Sequence, residues 1–351
     1  MPSPIPARNR NVYFVGAGLS CALGLPNTAM LLHGVLDLAS SSKRWQRERL
    51  EERLRAAFQF FYPDAVHAGY MPDVVDFFSA LRTYIDVGAE LAGGFRDAAP
   101  LHRALKFAIA DLLIKSGRRC EAMLKDGHEF LDQMLQPGSI VVTSNWDLLL
   151  ERYAQLRGLP LRLSGSGTDE IVLLKLHGSI DWCLGRSMRR RSAGGYAMLS
   201  ERLFGLRPYR PSLPPPARRV DLPVRIRAIE SRPTAWNLVL RSRASELLMV
   251  TMARGKTGDI GPLRSVWRDA YGAISRAQRL EIVGYAMPPD DTEIRTLLRA
   301  GVQRGSPLDE VVVRNPAPDV HERVRRYLDR SVSSDYRGVS IAAPAARLVR
   351  R

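Results

Sequence analysis

The segment Val12-Tyr13-Phe14-Val15-Gly16-Ala17-Gly18-Leu19-Ser20 constrains this chain more than any other. A short apolar run that meets a glycine and then takes on helical character is the pattern of a buried parallel strand entering a tight turn. Two glycines permit that turn and would let the backbone approach a pyrophosphate at a helix N-terminus, so a dinucleotide is the natural ligand. The competing reading is a packing turn with no ligand. Cys21 stands where the dinucleotide fingerprint has its third glycine, and no strand ending in an acid follows about twenty residues on, which disfavours an ordinary dehydrogenase site.

Further runs repeat the pattern. Residues 140–143, 172–176, 281–284 and 310–314 read as buried strands, and 247–251 as another. Between 27 and 136 the apolar residues recur at helical spacing instead, as in Val74-Val75-Phe77-Phe78-Leu81 and Leu101-Leu105-Ile109-Leu112-Leu113, which predicts a large helical insertion. Strands alternating with helices predict an α/β, Rossmann-like, doubly wound parallel sheet, because parallel neighbours need crossover connections. With 351 residues and 45% hydrophobic content the chain can bury a sizeable core. Residues 11–342 are expected to form one nucleotide-binding domain, with flexible ends at 1–10 and 343–351. Its second insertion, 185–245, is rich in arginine and proline and is expected to be exposed and partly disordered.

The net charge of +16 suits a polyanionic partner, and the arginines of 186–232 make nucleic acid a candidate. Lys43, Lys106, Lys115, Lys125, Lys175 and Lys256 are the only lysines, however, and such a skew also arises from base composition of the coding sequence. Cys21, Cys120 and Cys183 stand too far apart for a CxxC pair, so no metal site or disulfide framework is expected. The start carries charge and proline but no apolar stretch, and no run approaches the ~18 apolar residues of a membrane span, so a cytoplasmic location is expected.

Two polar motifs end predicted strands, where ligands collect in open α/β folds. In Thr143-Ser144-Asn145-Trp146-Asp147, the Asn145 amide can orient a water or a ribose hydroxyl and turn its carbonyl dipole toward a developing positive charge, while Asp147 can accept from ribose hydroxyls. Helix capping ahead of LLLERYAQL is the alternative. In Lys175-Leu176-His177-Gly178-Ser179, one imidazole arrives at the same edge, and histidine is the side chain best suited to proton transfer near neutral pH. His33, His67, His102, His128 and His321 have no partner pattern and read as surface or packing residues. Val283-Gly284-Tyr285-Ala286-Met287-Pro288-Pro289-Asp290-Asp291 joins a strand to an acidic helix cap through a glycine turn, and Val311-Val312-Val313-Arg314-Asn315-Pro316 ends a strand on an Asn suited to an adenosine edge or to an Asn-Pro turn.

Taken in order, GAGLS, TSNWD, KLHGS, VGYAMPPDD and VVVRNP resemble the sirtuin family, and more closely its bacterial sirtuin-like branch of NAD hydrolases found in antiphage defence. The resemblance implies NAD as substrate, with Gly16, Ala17, Gly18 and Ser20 cradling its phosphates. Asn145 and Asp147 would face the nicotinamide ribose, His177 would be the catalytic base, and Gly284, Tyr285 and Asn315 would line the adenosine side. Thr143 and Gly178 count among the NAD-binding residues on the same ground. It further implies regulation through a homo-oligomer or a defence-system partner protein. Two departures set the chain apart from the deacylases of the family. Only Cys183 stands where they carry a four-cysteine zinc module, and Gly24-Leu25-Pro26-Asn27-Thr28 replaces their GIPDFR. Protein deacylation or ADP-ribosyl transfer, and a module that senses a nucleotide without catalysis, remain as alternatives to hydrolysis.

Overall fold

A computed structural model describes residues 11–88, 94–163, 169–184, 197–198, 246–251, 260–303 and 308–336. In chain order the elements are β1 (Asn11–Val15), α1 (Ala17–Ala22), a short 3₁₀ turn (Thr28–Met30), α2 (Leu31–Ser41), α3 (Lys43–Arg47), α4 (Leu50–Phe61), α5 (Pro63–His67), α6 (Val74–Asp86), α7 (Ala98–Met123) and α8 (Glu129–Met134). Then follow β2 (Ile140–Thr143), α9 (Leu149–Leu156), β3 (Leu161–Arg162), β4 (Ile171–Lys175), β5 (Gly178–Leu184), β6 (Ala197–Met198), β7 (Glu246–Met249), α10 (Arg264–Ile274), β8 (Arg279–Val283), α11 (Thr292–Gln303), β9 (Glu310–Arg314), α12 (Pro318–Leu328) and β10 (Ser333–Asp335).

Seven strands form one sheet in the order β10-β9-β8-β1-β2-β4-β3, every pair parallel. This is the doubly wound α/β architecture the sequence predicts. The chain runs outward from β1 through β2 and β4, then crosses to the other flank for β8, β9 and β10. Strand order therefore reverses between β1 and β8, the place where such sheets bind ligands beyond the strands' carboxyl ends. Strands β1 and β8 are dominated by apolar residues because helices cover both faces of a sheet of this kind: Val12, Phe14, Val15, Leu280, Ile282 and Val283 are all buried.

The helical reading of 27–136 matches what is observed, since α2 to α8 fill that stretch. Helix α6 shows why. Asp73 caps it by accepting from the Val75 and Asp76 amides at 2.7 and 3.3 Å, and Val74, Phe77, Phe78 and Leu81 line its buried stripe. Trp45 is wholly buried yet satisfies its indole N–H on Asp111 at 3.0 Å.

The strand expected at 247–251 lies outside the main sheet. As β7 it pairs antiparallel with β5, which also pairs with β6, in a separate three-stranded sheet. Strands β3, β5, β6 and β10 are additions to the predicted set: β3 and β6 have two residues each, β10 reads Ser-Ser-Asp, and β5 mixes Asp181 into its apolar residues, so none carries a clear period. The arginine- and proline-rich insertion, apart from 197–198, and both expected flexible ends, 1–10 and 343–351, lie outside the described residues. Among the described residues no helix is long and apolar enough to cross a membrane.

Candidate active site at the carboxyl edge of the sheet

The loops after β1 and β8 are locked together through backbone. Gly16 N–H donates to the Val283 carbonyl at 2.9 Å and Gly18 N–H to the Gly284 carbonyl at 2.8 Å. A Cβ on Gly16 would lie 2.7 Å from Gly284 O and from Tyr285 Cα, and one on Gly18 would lie 2.6 Å from Gly284 O. Gly284 itself holds φ at +60°, and a Cβ there would fall 2.3 Å from Leu19 N. The structure thus supplies a reason for the GxG pattern other than phosphate approach: the amides of Gly16 and Gly18 are committed to the neighbouring loop. Tyr285 is buried, packs edge-on against Phe14 with centroids 4.9 Å apart, and donates its hydroxyl to Asp291 at 2.8 Å. Burial, reinforced by the Asp291 carboxylate, raises its phenol far above the ordinary range. The ring belongs to the core at this point, and its hydroxyl is bonded within the chain.

Across β1, the turn after β2 is built from side chains. Thr143 Oγ1 donates to Val15 O at 2.9 Å and accepts from Asn145 N at 3.0 Å, tying the turn to the end of β1. The Asn145 amide nitrogen donates to Gly16 O and to Ser20 Oγ, both at 3.0 Å, and Ser20 Oγ donates in turn to Asp147 Oδ2 at 2.7 Å. The other oxygen of Asp147 accepts from Leu149 N at 2.9 Å, so the capping alternative for Asp147 is realised alongside its bond to Ser20. With both directions of the amide nitrogen spent, Asn145 Oδ1 is left as a buried acceptor with no partner among the described residues. Buried polar atoms are satisfied in the great majority of cases, so an orphan acceptor on a clamped side chain points to a group that arrives from outside.

His177 reaches the same edge. Thr143 and Lys175 are register partners on adjacent parallel strands, and Asn145 and His177 each stand two residues beyond that pair. Leu176 N donates to Thr143 O at 2.8 Å, joining the two turns. The His177 ring is buried and lies 6.4 Å from the ring of Trp267 on α10, whose indole N–H holds Leu176 O at 2.8 Å. Asn145 is therefore turned toward α1, while His177 lies beside α10. Gly178 has φ +73°, and a Cβ there would meet Leu248 O at 2.0 Å, so this glycine serves the close pairing of β5 with β7. Asn315 stands farther along the edge, its side-chain oxygen accepting from Ala317 N at 3.0 Å in an Asn-Pro turn. The structure brings Gly16, Ser20, Thr143, Asn145 and Asp147 into one bonded group, with Gly18 and Gly284 beneath the switch point.

Behind this group sits a charged cluster that the motifs did not disclose. Lys175, about 1% exposed, donates to Asp147 O at 2.5 Å and to Glu151 Oε1 at 2.6 Å. Burial raises the Glu151 carboxyl, against the pull of Lys175, and burial likewise raises Asp181 on β5. A lysine closing a strand whose five residues are all buried was the available signal, because a buried ammonium demands a counter-charge.

No protein-family model and no curated protein sequence matches the chain. Among solved structures it is similar to Sir2Tm bound to a propionylated peptide, at 14% identity and a TM-score of 0.36, over 95% of this chain and 89% of that one. Sir2 in complex with the inhibitor EX-527, 2′-O-acetyl-ADP-ribose and a deacetylated p53 peptide is 16% identical with a TM-score of 0.33, over 92% and 93%. A Sir2 homologue variant in complex with ADP-ribose is 15% identical with a TM-score of 0.36, over 93% and 87%.

Proposed function

We propose that this chain is an NAD glycohydrolase that cleaves the bond between nicotinamide and ribose to give nicotinamide and ADP-ribose, as a regulated NAD-depleting effector in bacterial antiphage defence. The observation that carries the reading is the buried, unpartnered Oδ1 of Asn145, held by two bonds on its amide nitrogen at the carboxyl edge of a doubly wound sheet. The ordered set of five motifs supports it, as does a strand order that reverses beside the same turn.

The chemistry follows from the carboxamide. As the glycosidic bond breaks, its electron pair goes to the pyridinium nitrogen, nicotinamide leaves neutral, and positive charge develops on the ribose carbon. A carboxamide oxygen prevented from rotating away places its negative dipole end against that charge, or accepts from the water that captures it; pre-oriented groups of this kind are worth roughly 3 kcal/mol of barrier. His177, which enters from the adjacent strand, accepts the proton released by water or by a ribose hydroxyl. Water adds to the carbon as hydroxide, and one proton remains on the base. Such an enzyme would be harmful if always active, and the helical layer α2 to α8 is the surface on which a defence-system partner or a second copy would gate it.

The test is nicotinamide release from NAD followed by chromatography. Asn145→Ala and His177→Ala should each lose about 10²-fold or more in turnover while retaining the far-ultraviolet dichroism of the parent. Full turnover by either variant sinks the assignment, and NAD-dependent loss of the acyl group from an acetylated peptide would hand the site to deacylation.

A further inference from the structure

A buried ion pair is an expensive way to fill space, since well-packed apolar side chains of similar volume often replace one at no loss of stability. What an apolar replacement cannot supply is a directed bond, and Lys175 makes one. Its ammonium reaches from the end of β4 to the carbonyl of Asp147, two residues after Asn145, while Glu151 on α9 neutralises it from behind and Asp181 on β5 faces the same cation. The preceding carbonyl, that of Trp146, is held from the same side by Ile180 N at 3.0 Å and Ser179 Oγ at 3.4 Å, and the Trp146 indole N–H by Val250 O at 3.1 Å. The turn that carries Asn145 is therefore stitched to the segment that carries His177 at successive carbonyls. The stitches from Leu176 and Ile180 are backbone bonds that truncating a side chain leaves in place; the one from Lys175 is a side chain.

We infer that Lys175 is a positioning residue, whose bond to the Asp147 carbonyl sets the Asn145 turn against the His177 strand, with Glu151 present to keep the ammonium in place. The inference rests on the reading of Asn145 and His177 given above. Its mechanical content is that the Asn145 carboxamide keeps its heading only while the carbonyl two residues on is tethered. Misplacing a reacting group by about 1 Å costs on the order of 10²-fold in rate.

The experiment compares three full-length proteins: the parent, Glu151→Gln, and the double variant Lys175→Met/Glu151→Leu, which removes both charges together and leaves no stranded ion. Two readouts are taken on each, steady-state nicotinamide release and amide hydrogen exchange of residues 144–149. The double variant should fold, lose about 30-fold in kcat with KM for NAD within about threefold, and exchange faster across the turn, in proportion to the lost positioning. Glu151→Gln takes the counter-charge from the ammonium without removing it and should fall between the parent and the double variant in both readouts. A merely structural role predicts a lower melting temperature with parental kcat and parental exchange in the folded double variant, and that result overturns the inference. Should the double variant not fold, Lys175→Gln/Glu151→Gln keeps polar groups in the cluster with a shorter side chain at 175 and is read by the same two measurements. A parent that releases no nicotinamide leaves this inference testable, because exchange across the turn still decides whether Lys175 holds it.

Discussion

On its β8 side, strand β1 ends in a turn closed by backbone on backbone: Gly16 and Gly18 lie against Gly284 with no room for a methyl group between them, and their amides are spent on its loop. On its β2 side the same strand meets a turn assembled from side chains, where Thr143, Asn145, Ser20 and Asp147 bond one another and one acceptor is left over. The first arrangement commits the amides of Gly16, Gly18 and Gly284 to backbone carbonyls and leaves no space for a Cβ; it sets a distance. The second concentrates polar groups in a buried place and holds one of them ready. Rigidity on one flank is what allows an unsatisfied carboxamide on the other to keep its orientation, since Asn145 takes its bearing from Gly16 O.

Breaking the comparison at the glycine flank should have the largest effect. Gly284→Ala forces a side chain into φ +60° with its Cβ against the Leu19 and Gly18 backbone, and should cost about 4 kcal/mol or more by denaturant unfolding. A loss below about 1 kcal/mol would mean that the two loops are not in contact in solution. On the same flank, Tyr285 offers a second test. Tyr285→Phe removes one buried hydrogen bond and should cost about 1 kcal/mol of stability with KM for NAD unchanged, whereas a severalfold rise in KM would bring the hydroxyl into the ligand site. The smallest effect is in the charged cluster. Burial raises the carboxyls of Asp181 and Glu151 above their ordinary values of 3.8 and 4.5, so the folded state binds those protons more tightly than the unfolded chain. Their contribution is fully present below those values and declines as pH rises through the raised ones. Asp181→Asn should therefore flatten the fall in stability as pH rises above the ordinary carboxylate range, measured as unfolding midpoints at successive pH values. An unchanged slope would show that the carboxyl ionises as freely in the fold as outside it.

Much of this architecture was legible from local pattern. Five strand predictions in the main sheet were near their observed positions because β-branched and leucine runs bounded by glycine or Asn-Pro have few other uses. The boundaries slipped by a residue or two where a glycine leaves the extended region: the run at 281–284 ends at Val283 because Gly284 turns to positive φ. Strand β5 escaped notice because Gly178 lets the chain leave β4 and begin another strand almost at once, in a different sheet. Within the site, Asn145 and His177 stood out by residue type, while Glu151 and Asp181 belong to none of the motifs. Only their convergence on Lys175 gives them a role.

What the sequence by itself determined is the alternation of strand and helix and the placing of polar motifs at strand ends, because periodicity and turn chemistry are local properties. The tertiary structure alone decided which loops touch, that Gly16 and Gly18 answer to Gly284, and that a lysine on β4 holds the carbonyl of Asp147. Those outcomes depend on strand order and on groups meeting across more than two hundred residues of chain in the case of Gly284, and no local pattern records such distances.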